Sequence, residues 1–287
     1  MSLSGVSNMS PKLFQEIQNT DGLLNFLQSR THDYYYHFTT VSTFIKILES
    51  RRWRFSSGAM MNDQHEYKIK SAPGVREKIF STCFSFGDKN NMAMWAMYSI
   101  PWEDAVRIRI PKETMLKWVK KLQTVKHPEL TGVSLHDILY IDGKIGKSHL
   151  AKFYWARGKR FALTEPDGKD VSLSPRFTGY LKNSAWKHEQ EARLAVTLRD
   201  YPSNSFFDLP VPAGFFGEIQ ITTGPWTSDM DFARQQKRII NAAPIKYRDH
   251  FVQSMKKNAF RGQIILRRHC DKCKHEFKEK AGSRNGR

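Results

Sequence analysis

The chain has 287 residues, of which 40% are hydrophobic and 13% aromatic. This is enough apolar material for a sizeable core, which excludes a globally disordered protein and fits a single domain. The formal charge of +18, from 46 basic and 28 acidic residues, says nothing about fold but favours a polyanionic partner such as nucleic acid.

Cysteine usage and hydropathy both bear on the cellular compartment. The three cysteines, Cys83, Cys270 and Cys273, form a sparse and odd-numbered set that predicts no disulfide framework. The N-terminus lacks a basic segment followed by an apolar run, and no uncharged apolar run approaches the roughly 20 residues of a membrane helix. The sequence therefore predicts a soluble, cytoplasmic protein, and it leaves the oligomeric state open.

Hydrophobic periodicity predicts strands and helices interspersed along most of the chain. The predicted strands are 34–38, 53–57, 79–86, 106–110, 138–141, 192–198 and 218–222, and the predicted helices are 41–48, 90–99, 111–123 and 228–241. This mixture indicates an α+β class. We expect an N-terminal helical segment over 1–33, an α+β core domain over 34–250, and a basic, partly disordered C-terminal tail over 251–287.

Two short motifs carry groups that recognise ligands. His37 lies at a predicted strand end, close to the hydroxyl of Thr39, and such a pair can hydrogen-bond a ribose or an amide. A partly buried structural histidine is the alternative. Trp95 and Tyr98 stand three residues apart, so they share one face of a predicted helix. That aromatic pair either stacks on a base or nicotinamide ring, or belongs to the core.

Acidic residues precede the predicted strand 192–198. If the strand begins near Glu189, then Glu189, Glu191 and Arg193 lie on one side, because side chains alternate with period two. Two carboxylates and a guanidinium form either an ion-pair network or a site. In a site, a carboxylate acts as a general base or stabilises an oxocarbenium-like transition state. We expect Trp186 to pack beneath this strand and fix the carboxylates.

Two further polar segments suggest metal chemistry. Asp63 and Glu66 follow an asparagine in a pattern typical of a turn, yet a phosphodiesterase could combine them with the two glutamates to hold a metal. The cluster from His269 to His275 contains a Cys-x-x-Cys pair, which is half of a zinc site. Four ligands within seven residues can hardly surround one tetrahedral ion, so we predict no metal there.

Taken in order, several pieces of the chain resemble the prokaryotic domain-of-unknown-function family 2971. They are Tyr36-His37-Phe38, Trp53-Arg54-Phe55-Ser56, Asn62-Asp63 with Glu66, Cys83-Phe84-Ser85-Phe86, 91–98, 186–193, and Glu218-Ile219 with Gly224. The resemblance covers roughly residues 34–241. The chain departs from the family at Gln64, where a proline is common, and in lacking a glycine soon after Tyr98.

The layout of that family is similar to ADP-ribosyltransferases of the His-Tyr-Glu type. The resemblance implies sheets split around a cleft, with flanking helices, and NAD as substrate. It also implies that His37 holds the ribose and the nicotinamide amide, that Tyr98 or Trp95 stacks on the nicotinamide, and that Glu191 or Glu189 polarises the ribose 2′-hydroxyl. Glu191 is preferred because it lies deeper in the predicted strand.

Three functions remain open at this point. The first is a transferase that uses NAD, acting on nucleic acid in phage defence or as a toxin. Basic residues such as Arg107, Arg109 and Lys182 would then bind the pyrophosphate of NAD or a nucleic-acid acceptor. The second is a non-catalytic nucleic-acid-binding module, and the third is a metal-dependent phosphodiesterase. The transferase requires His37, an aromatic ring and a glutamate around one cleft.

Overall fold

The computed structural model describes residues 20–28, 32–61, 74–87, 91–125, 129–141, 154–156, 159–161, 179–200 and 204–260. Its helices are α1 (Thr20–Gln28), α2 (Val41–Ser50), α3 (Val75–Lys78), α4 (Met92–Tyr98), α5 (Lys112–Thr124), α6 (Asp229–Ala242) and α7 (Arg248–Ser254). Its strands are β1 (Tyr34–Thr40), β2 (Arg52–Ser57), β3 (Ile79–Ser85), β4 (Ala105–Pro111), β5 (Leu130–Asp137), β6 (Leu139–Ile141), β7 (Tyr154–Ala156), β8 (Lys159–Phe161), β9 (Leu181–Asn183), β10 (Glu191–Leu198), β11 (Phe206–Pro210) and β12 (Gln220–Thr223). Helices mixed with largely antiparallel strands confirm the predicted α+β class.

Local sequence accounts for most of these elements. α2 begins after Thr40, whose hydroxyl accepts a hydrogen bond from the Thr43 amide at 3.1 Å and so caps the first turn. It ends at Arg51, which adopts the left-handed conformation with φ 54°. Ser228 caps α6 in the same way, through the amide of Asp231 at 3.0 Å. Both helices therefore start where the sequence predicts them.

Two strands of the main sheet, β5 and β11, lack a clear signal in the sequence. β11 has five residues and pairs with β2, and it ends in Pro210, which an edge strand tolerates because no ladder bond is lost there. β5 pairs with β10 along seven registered residue pairs and is only partly buried over its first half. Both strands form because a partner strand lies beside them, and the hydrophobic periodicity of a segment does not indicate which strand will pair with it.

The main sheet forks over β3. Its strand order is β11-β2-β3-β1-β4-β12, and β10 pairs with β3 along its whole length and carries β5 beyond it. β1 meets β3 near its end, where Tyr36 pairs with Ser85, whereas β2 meets it near its start, where Ser56 pairs with Ser81. Residues 82–84 lie between these two pairings, so β1 and β2 diverge over the middle of β3.

A smaller sheet with the order β8-β7-β6-β9 lies next to the start of β10. β6 and β9 are parallel, and the chain passes from β9 to β10 through a 3-10 turn, Ser184–Glu189. The Ile138 amide donates to the Glu191 carbonyl at 2.9 Å, which ties the start of β6 to β10. Lys182, on β9, is therefore brought close to the first residues of β10.

The main core contains an aromatic cluster beneath the fork. Trp53 and Trp118 lie 5.2 Å apart between ring centroids, and both pack against Phe84 and Phe215. On the same core, Phe251 of α7 is completely buried. The ordered core thus continues past residue 250, into the first part of the segment that the sequence assigned to a basic tail.

Some sequence predictions concern parts of the chain outside the described residues. These are the Asp63 and Glu66 segment, the cluster from His269 to His275, and most of the basic tail. Among the helices that the structure describes, none combines the length and the apolarity that a bilayer crossing requires.

Candidate active site

The divergence of β1 and β2 opens a cavity of about 590 Å³, a size that suits a nucleotide-like ligand. It is lined by 36–38 of β1, by 43, 46, 47 and 50 of α2, by 52–54 and 56 of β2, by 81–85 of β3, by 94 and 98 of α4, by Met60, Met61 and Asp208, and by Lys182, Glu189, Glu191 and Arg193. His37, Tyr98, Glu189 and Glu191 therefore share one cavity, although 154 positions separate the first from the last.

His37 enters this cavity as a neutral ring. Its Nδ1 lies 3.0 Å from the carbonyl oxygen of Cys83, which can only accept, so Nδ1 carries the proton and donates. Burial lowers the pKa of His37, and the bond to Cys83 opposes this only in part. Nε2 of the neutral ring is then an acceptor towards a ligand. The ring stands edge-on to Trp53 at 5.0 Å.

Glu189 and Tyr98 are bonded to each other at the cavity wall. The Tyr98 hydroxyl donates to Oε1 of Glu189, and Lys182 Nζ donates to Oε2 at 2.5 Å. Glu189 is 2% exposed and Tyr98 is half-buried. The carboxylate therefore has one neutral hydroxyl partner and one cationic partner.

Glu191 has two cationic partners, whereas Glu189 has one. Arg193 donates to both of its oxygens, through Nε at 2.5 Å and Nη2 at 3.1 Å, and Lys182 adds a third bond at 3.1 Å. Arg193 is completely buried, and Nη1 also donates to the Gly179 carbonyl at 3.2 Å. A two-pronged guanidinium contact of this kind fixes both position and charge. The ion pair proposed from sequence for Glu191 and Arg193 is thus present, and it lies in the cavity wall.

The two carboxyl groups differ in proton affinity. Burial is the main influence on Glu189 and raises its pKa above the ordinary range, against the attraction of Lys182. At Glu191 burial acts in the same direction, but Arg193 and Lys182 together outweigh it and lower the pKa. Burial and the neighbouring Glu191 hold the pKa of the Cys83 thiol well above its usual value, so Cys83 is a neutral thiol at pH 7.

The backbone around Glu189 has an unusual conformation, which explains the direction in which the Glu189 side chain points. The sequence predicted that Glu189, Glu191 and Arg193 share one face of a strand, but β10 begins only at Glu191. Glu189 ends the preceding 3-10 turn, and Gln190 takes the left-handed conformation with φ 43°. The Gln190 side chain lies over Gly87, where an added Cβ would come within 2.1 Å of Oε1. The reversal at Gln190 lets both glutamates reach Lys182.

Helix α4 is tied to the same turn. The side chain of Asn91 caps α4 by accepting from the amides of Ala93 and Met94, and its Nδ2 donates to the His188 carbonyl at 2.6 Å. One residue thus links the start of the helix that carries Tyr98 to the residue before Glu189. This linkage fixes the two groups relative to each other.

Four residues assigned to ligand binding from the sequence lie outside the cavity lining. One of them, Arg109, packs over the Tyr34 ring and donates to the Gln220 side chain. Thr39 is buried on β1, opposite Val106 of β4. Trp95 is completely buried and packs edge-on against Phe38 at 5.0 Å, so Tyr98, and not Trp95, stands at the cavity wall. Arg107 is 6% exposed, and its guanidinium lies over the rings of Tyr36 and Trp95.

The exposed cationic side chains of the cavity lining were missed. They are Lys46 of α2 and Arg52 and Arg54 of β2, which line the same cavity as the buried carboxylates. Arg54 is paired with Asp208 through Nε at 2.9 Å and Nη2 at 3.0 Å. Strand alternation in β2 could have indicated two arginines on one face, but their proximity to the glutamates depends on the fork.

Trp186, which we expected to pack beneath the strand, is half-buried. Its ring lies 4.8 Å from Lys182 Nζ, a distance typical of a cation–π contact. The ring therefore covers the lysine that joins the two glutamates, and it reaches the carboxylates through that lysine.

Comparison with known proteins gives remote structural resemblances. No protein-family model matches the chain, so the resemblance to family 2971 stays an expectation, and no curated protein matches in sequence. Thermus sp. 2.9 DarT in complex with carba-NAD+ is 12% identical, with a TM-score of 0.33, over 80% of this chain and 97% of that one. The same protein in complex with ADP-ribosylated ssDNA is 10% identical, with a TM-score of 0.32, over 79% and 94%. At TM-scores of this size, an activity has to be argued from the cavity itself.

His136 makes the stability of this region dependent on pH. Burial lowers its pKa from 6.5 to about 4, while Nε2 lies 3.2 Å from the Gly179 carbonyl and the ring stacks on Tyr180 at 3.6 Å. The unfolded chain therefore binds a proton that the folded protein does not, and stability is lost as pH falls from 6.5 towards 4. The full shift corresponds to about 3 kcal/mol.

We expect urea midpoints measured at pH 7 and pH 4.5 to differ less in His136→Asn than in the wild type, because asparagine cannot titrate. If the urea midpoint falls equally in both proteins on acidification, groups other than His136 cause the loss of stability.

Proposed function

We propose that the chain binds NAD in this cavity, cleaves the bond between nicotinamide and ribose, and transfers the ADP-ribose to a nucleic-acid acceptor. The observation that carries the proposal is that Glu189 and Glu191 share one cavity with Tyr98 and His37. The alternative in which these are unrelated structural residues does not account for three exposed cations, Lys46, Arg52 and Arg54 (the cationic rim), in the same cavity lining as two buried carboxylates.

The cavity offers a partner for each part of NAD. The Tyr98 ring supplies an aromatic surface for the nicotinamide. The free Nε2 of His37 accepts a hydrogen bond from a ribose hydroxyl or from the carboxamide N–H. At the open side, Lys46, Arg52 and Arg54 provide positive charge for the diphosphate. Lys182, which the sequence suggested for this role, is instead engaged by the glutamates.

The chemistry follows from where charge develops. The bond between C1′ and the nicotinamide nitrogen breaks, and its electron pair leaves with neutral nicotinamide. The sugar that remains resembles an oxocarbenium cation, which a fixed carboxylate stabilises strongly in a site that excludes water. The acceptor attacks C1′ as that bond breaks, and in the same transition state a carboxylate takes the proton that the acceptor loses.

The two glutamates suit different parts of this reaction. Glu191 is permanently ionised by Arg193 and supplies fixed negative charge. Glu189 has a raised pKa and is bonded on one side by a neutral hydroxyl that a substrate can displace, so we assign it the role of general base. The sequence preferred Glu191 for its depth in the strand, whereas the contacts favour Glu189 for proton transfer.

The acceptor is inferred from charge. A net charge of +18 attracts polyanions over the whole surface, and the exposed cations at the cavity mouth lie where an acceptor strand would approach C1′. The non-catalytic alternative requires the same charge and no NAD chemistry. The phosphodiesterase fits less well, because Lys182 and Arg193 hold both oxygens of Glu191, while Tyr98 and Lys182 hold those of Glu189, which leaves little capacity for a metal. Within the described residues, no group of three or more His, Cys, Asp or Glu side chains is placed to hold one.

The decisive experiment incubates the protein with NAD and with single-stranded DNA, duplex DNA or RNA. Chromatography measures released nicotinamide, and mass spectrometry measures ADP-ribose on the oligonucleotide. We expect nicotinamide release together with a modified oligonucleotide. Salt-sensitive binding to the oligonucleotide without NAD cleavage would replace the transferase by the binding module.

The cationic rim gives a second test. We expect Lys46→Ala/Arg52→Ala to raise the KM for NAD by about tenfold with little change in kcat, because contacts to the diphosphate are made equally in the ground state and the transition state. Lys121→Ala/Arg199→Ala, which removes two exposed cations outside the cavity lining, serves as the matched control. Equal changes in KM in the two double variants would show that the cationic rim does not bind NAD.

A further inference from the structure

Four charged side chains form a cluster in the cavity wall: Glu189, Glu191, Lys182 and Arg193. The reaction proposed above gives Lys182 no role. Arg193 is bonded to Glu191, but Lys182 is bonded to both glutamates, to Glu189 at 2.5 Å and to Glu191 at 3.1 Å. Its side chain is 6% exposed and is covered by the Trp186 ring. A lysine buried to this extent is retained only with close anionic partners.

Lys182 also comes from a different part of the fold. It lies on β9 of the smaller sheet, whereas Glu191 and Arg193 belong to β10 of the main sheet and Glu189 ends the turn between them. The ammonium group is thus the point at which the smaller sheet is joined to both carboxylates. Without it, Glu189 would keep the hydrogen bond from the Tyr98 hydroxyl and would lie beside the negative charge of Glu191.

We propose that Lys182 is a positioning residue that keeps Glu189 ionised and turned towards Tyr98, so that Glu189 can accept a proton during the reaction proposed above. The inference about catalysis rests on that proposed function. The inference about ionisation rests only on the contacts of Lys182.

The other groups around the two glutamates do not replace this role. Among the residues that the structure describes, the titratable and charged side chains that face them, besides Lys182, are Tyr98 on α4, Cys83 on β3, Tyr140 on β6, His136 on β5 and Arg193 on β10. The pKa values of Tyr98, Cys83 and Tyr140 are raised and that of His136 is lowered, so all four are neutral at pH 7. Arg193 is taken up by Glu191. Lys182 is therefore the cation that balances Glu189.

The test measures the protonation of Glu189 directly. The infrared carboxylic-acid band that disappears in Glu189→Gln is followed against pH in wild type, Lys182→Gln and Lys182→Arg. We expect Lys182→Gln to raise the pH at which Glu189 ionises by about 1–3 units, since it removes an opposite charge within bonding distance. Lys182→Arg keeps the charge and should restore most of the shift. Lys117→Gln, which breaks an exposed ion pair with Glu218, is the matched control and should leave Glu189 unchanged.

The activity profile provides the second readout. The acidic limb of kcat for NAD cleavage should move upward by the same amount in Lys182→Gln, with the KM for NAD unchanged. An unshifted Glu189 in that variant would overturn the inference. If the wild type does not cleave NAD, the proposed function fails, while the infrared titration still decides the role of Lys182.

The variant protein remains informative even if it folds poorly. A glutamate that has lost its cation costs stability only when it is ionised, so Lys182→Gln, relative to wild type, should regain stability when the pH is lowered from 7 to 5. A deficit that is the same at both pH values would show that Lys182 acts by packing, and would overturn the inference.

Discussion

Replacing Glu189 by glutamine is expected to lower NAD cleavage by about 10²- to 10⁴-fold, the usual contribution of a general base. Glutamine keeps the size of the side chain and can still accept from Tyr98, so the fold and the Kd for NAD should change little. The loss should appear in kcat, because a proton acceptor is used only in the transition state. Nicotinamide release measured under single-turnover conditions, with NAD binding followed by tryptophan fluorescence, checks both parts.

Matched control variants test whether the loss of activity is specific to Glu189 or follows from removing any negative charge. Glu113→Gln removes a carboxylate from the exposed first turn of α5 and should retain full activity. Glu191→Gln should also abolish transfer, as its fixed charge stabilises the cationic sugar, but it should lower the stability too, because Arg193 loses its partner. An active Glu189→Gln protein would contradict the role of general base.

Arg193→Met should lower the free energy of unfolding by about 3–5 kcal/mol, because it leaves Glu191 buried without its principal counter-charge. Methionine fills similar space with flexible apolar atoms, so lost volume contributes little. Urea denaturation at pH 7 measures the loss. We expect the double variant Arg193→Met/Glu191→Leu to recover most of it, since it removes both charges of the pair and leaves Lys182 with Glu189.

The stability of the double variant shows whether Arg193→Met destabilises the protein through the unpaired charge of Glu191 or through lost packing. If the double variant is as unstable as Arg193→Met alone, the cost comes from lost contacts of the guanidinium, including its bond to the Gly179 carbonyl. In that case the buried ion pair would not be the reason why these residues are held together.

The sequence by itself determined the local elements and the candidate side chains. Thr40 and Ser228 cap helices where hydroxyl residues precede apolar periodicity, and β1, β3 and β4 follow from runs of aromatic and branched residues. These signals act within a few residues of each other, so they can be interpreted without knowing the fold. His37, Tyr98 and the two glutamates were identified in the same way, from residue type and order.

Tertiary structure alone decided which of those candidates meet. The fork of β1 and β2 over β3 creates the cavity, and it depends on strand pairing between segments far apart in sequence. Burial then removed Trp95 and Arg107 from the site, because α4 covers one face of β1 and β4. The left-handed Gln190 turned Glu189 towards Lys182, which lies on β9, a strand that the sequence did not predict. Local patterns fix what each segment can be, whereas long-range packing fixes the neighbours that give a charged side chain its chemistry.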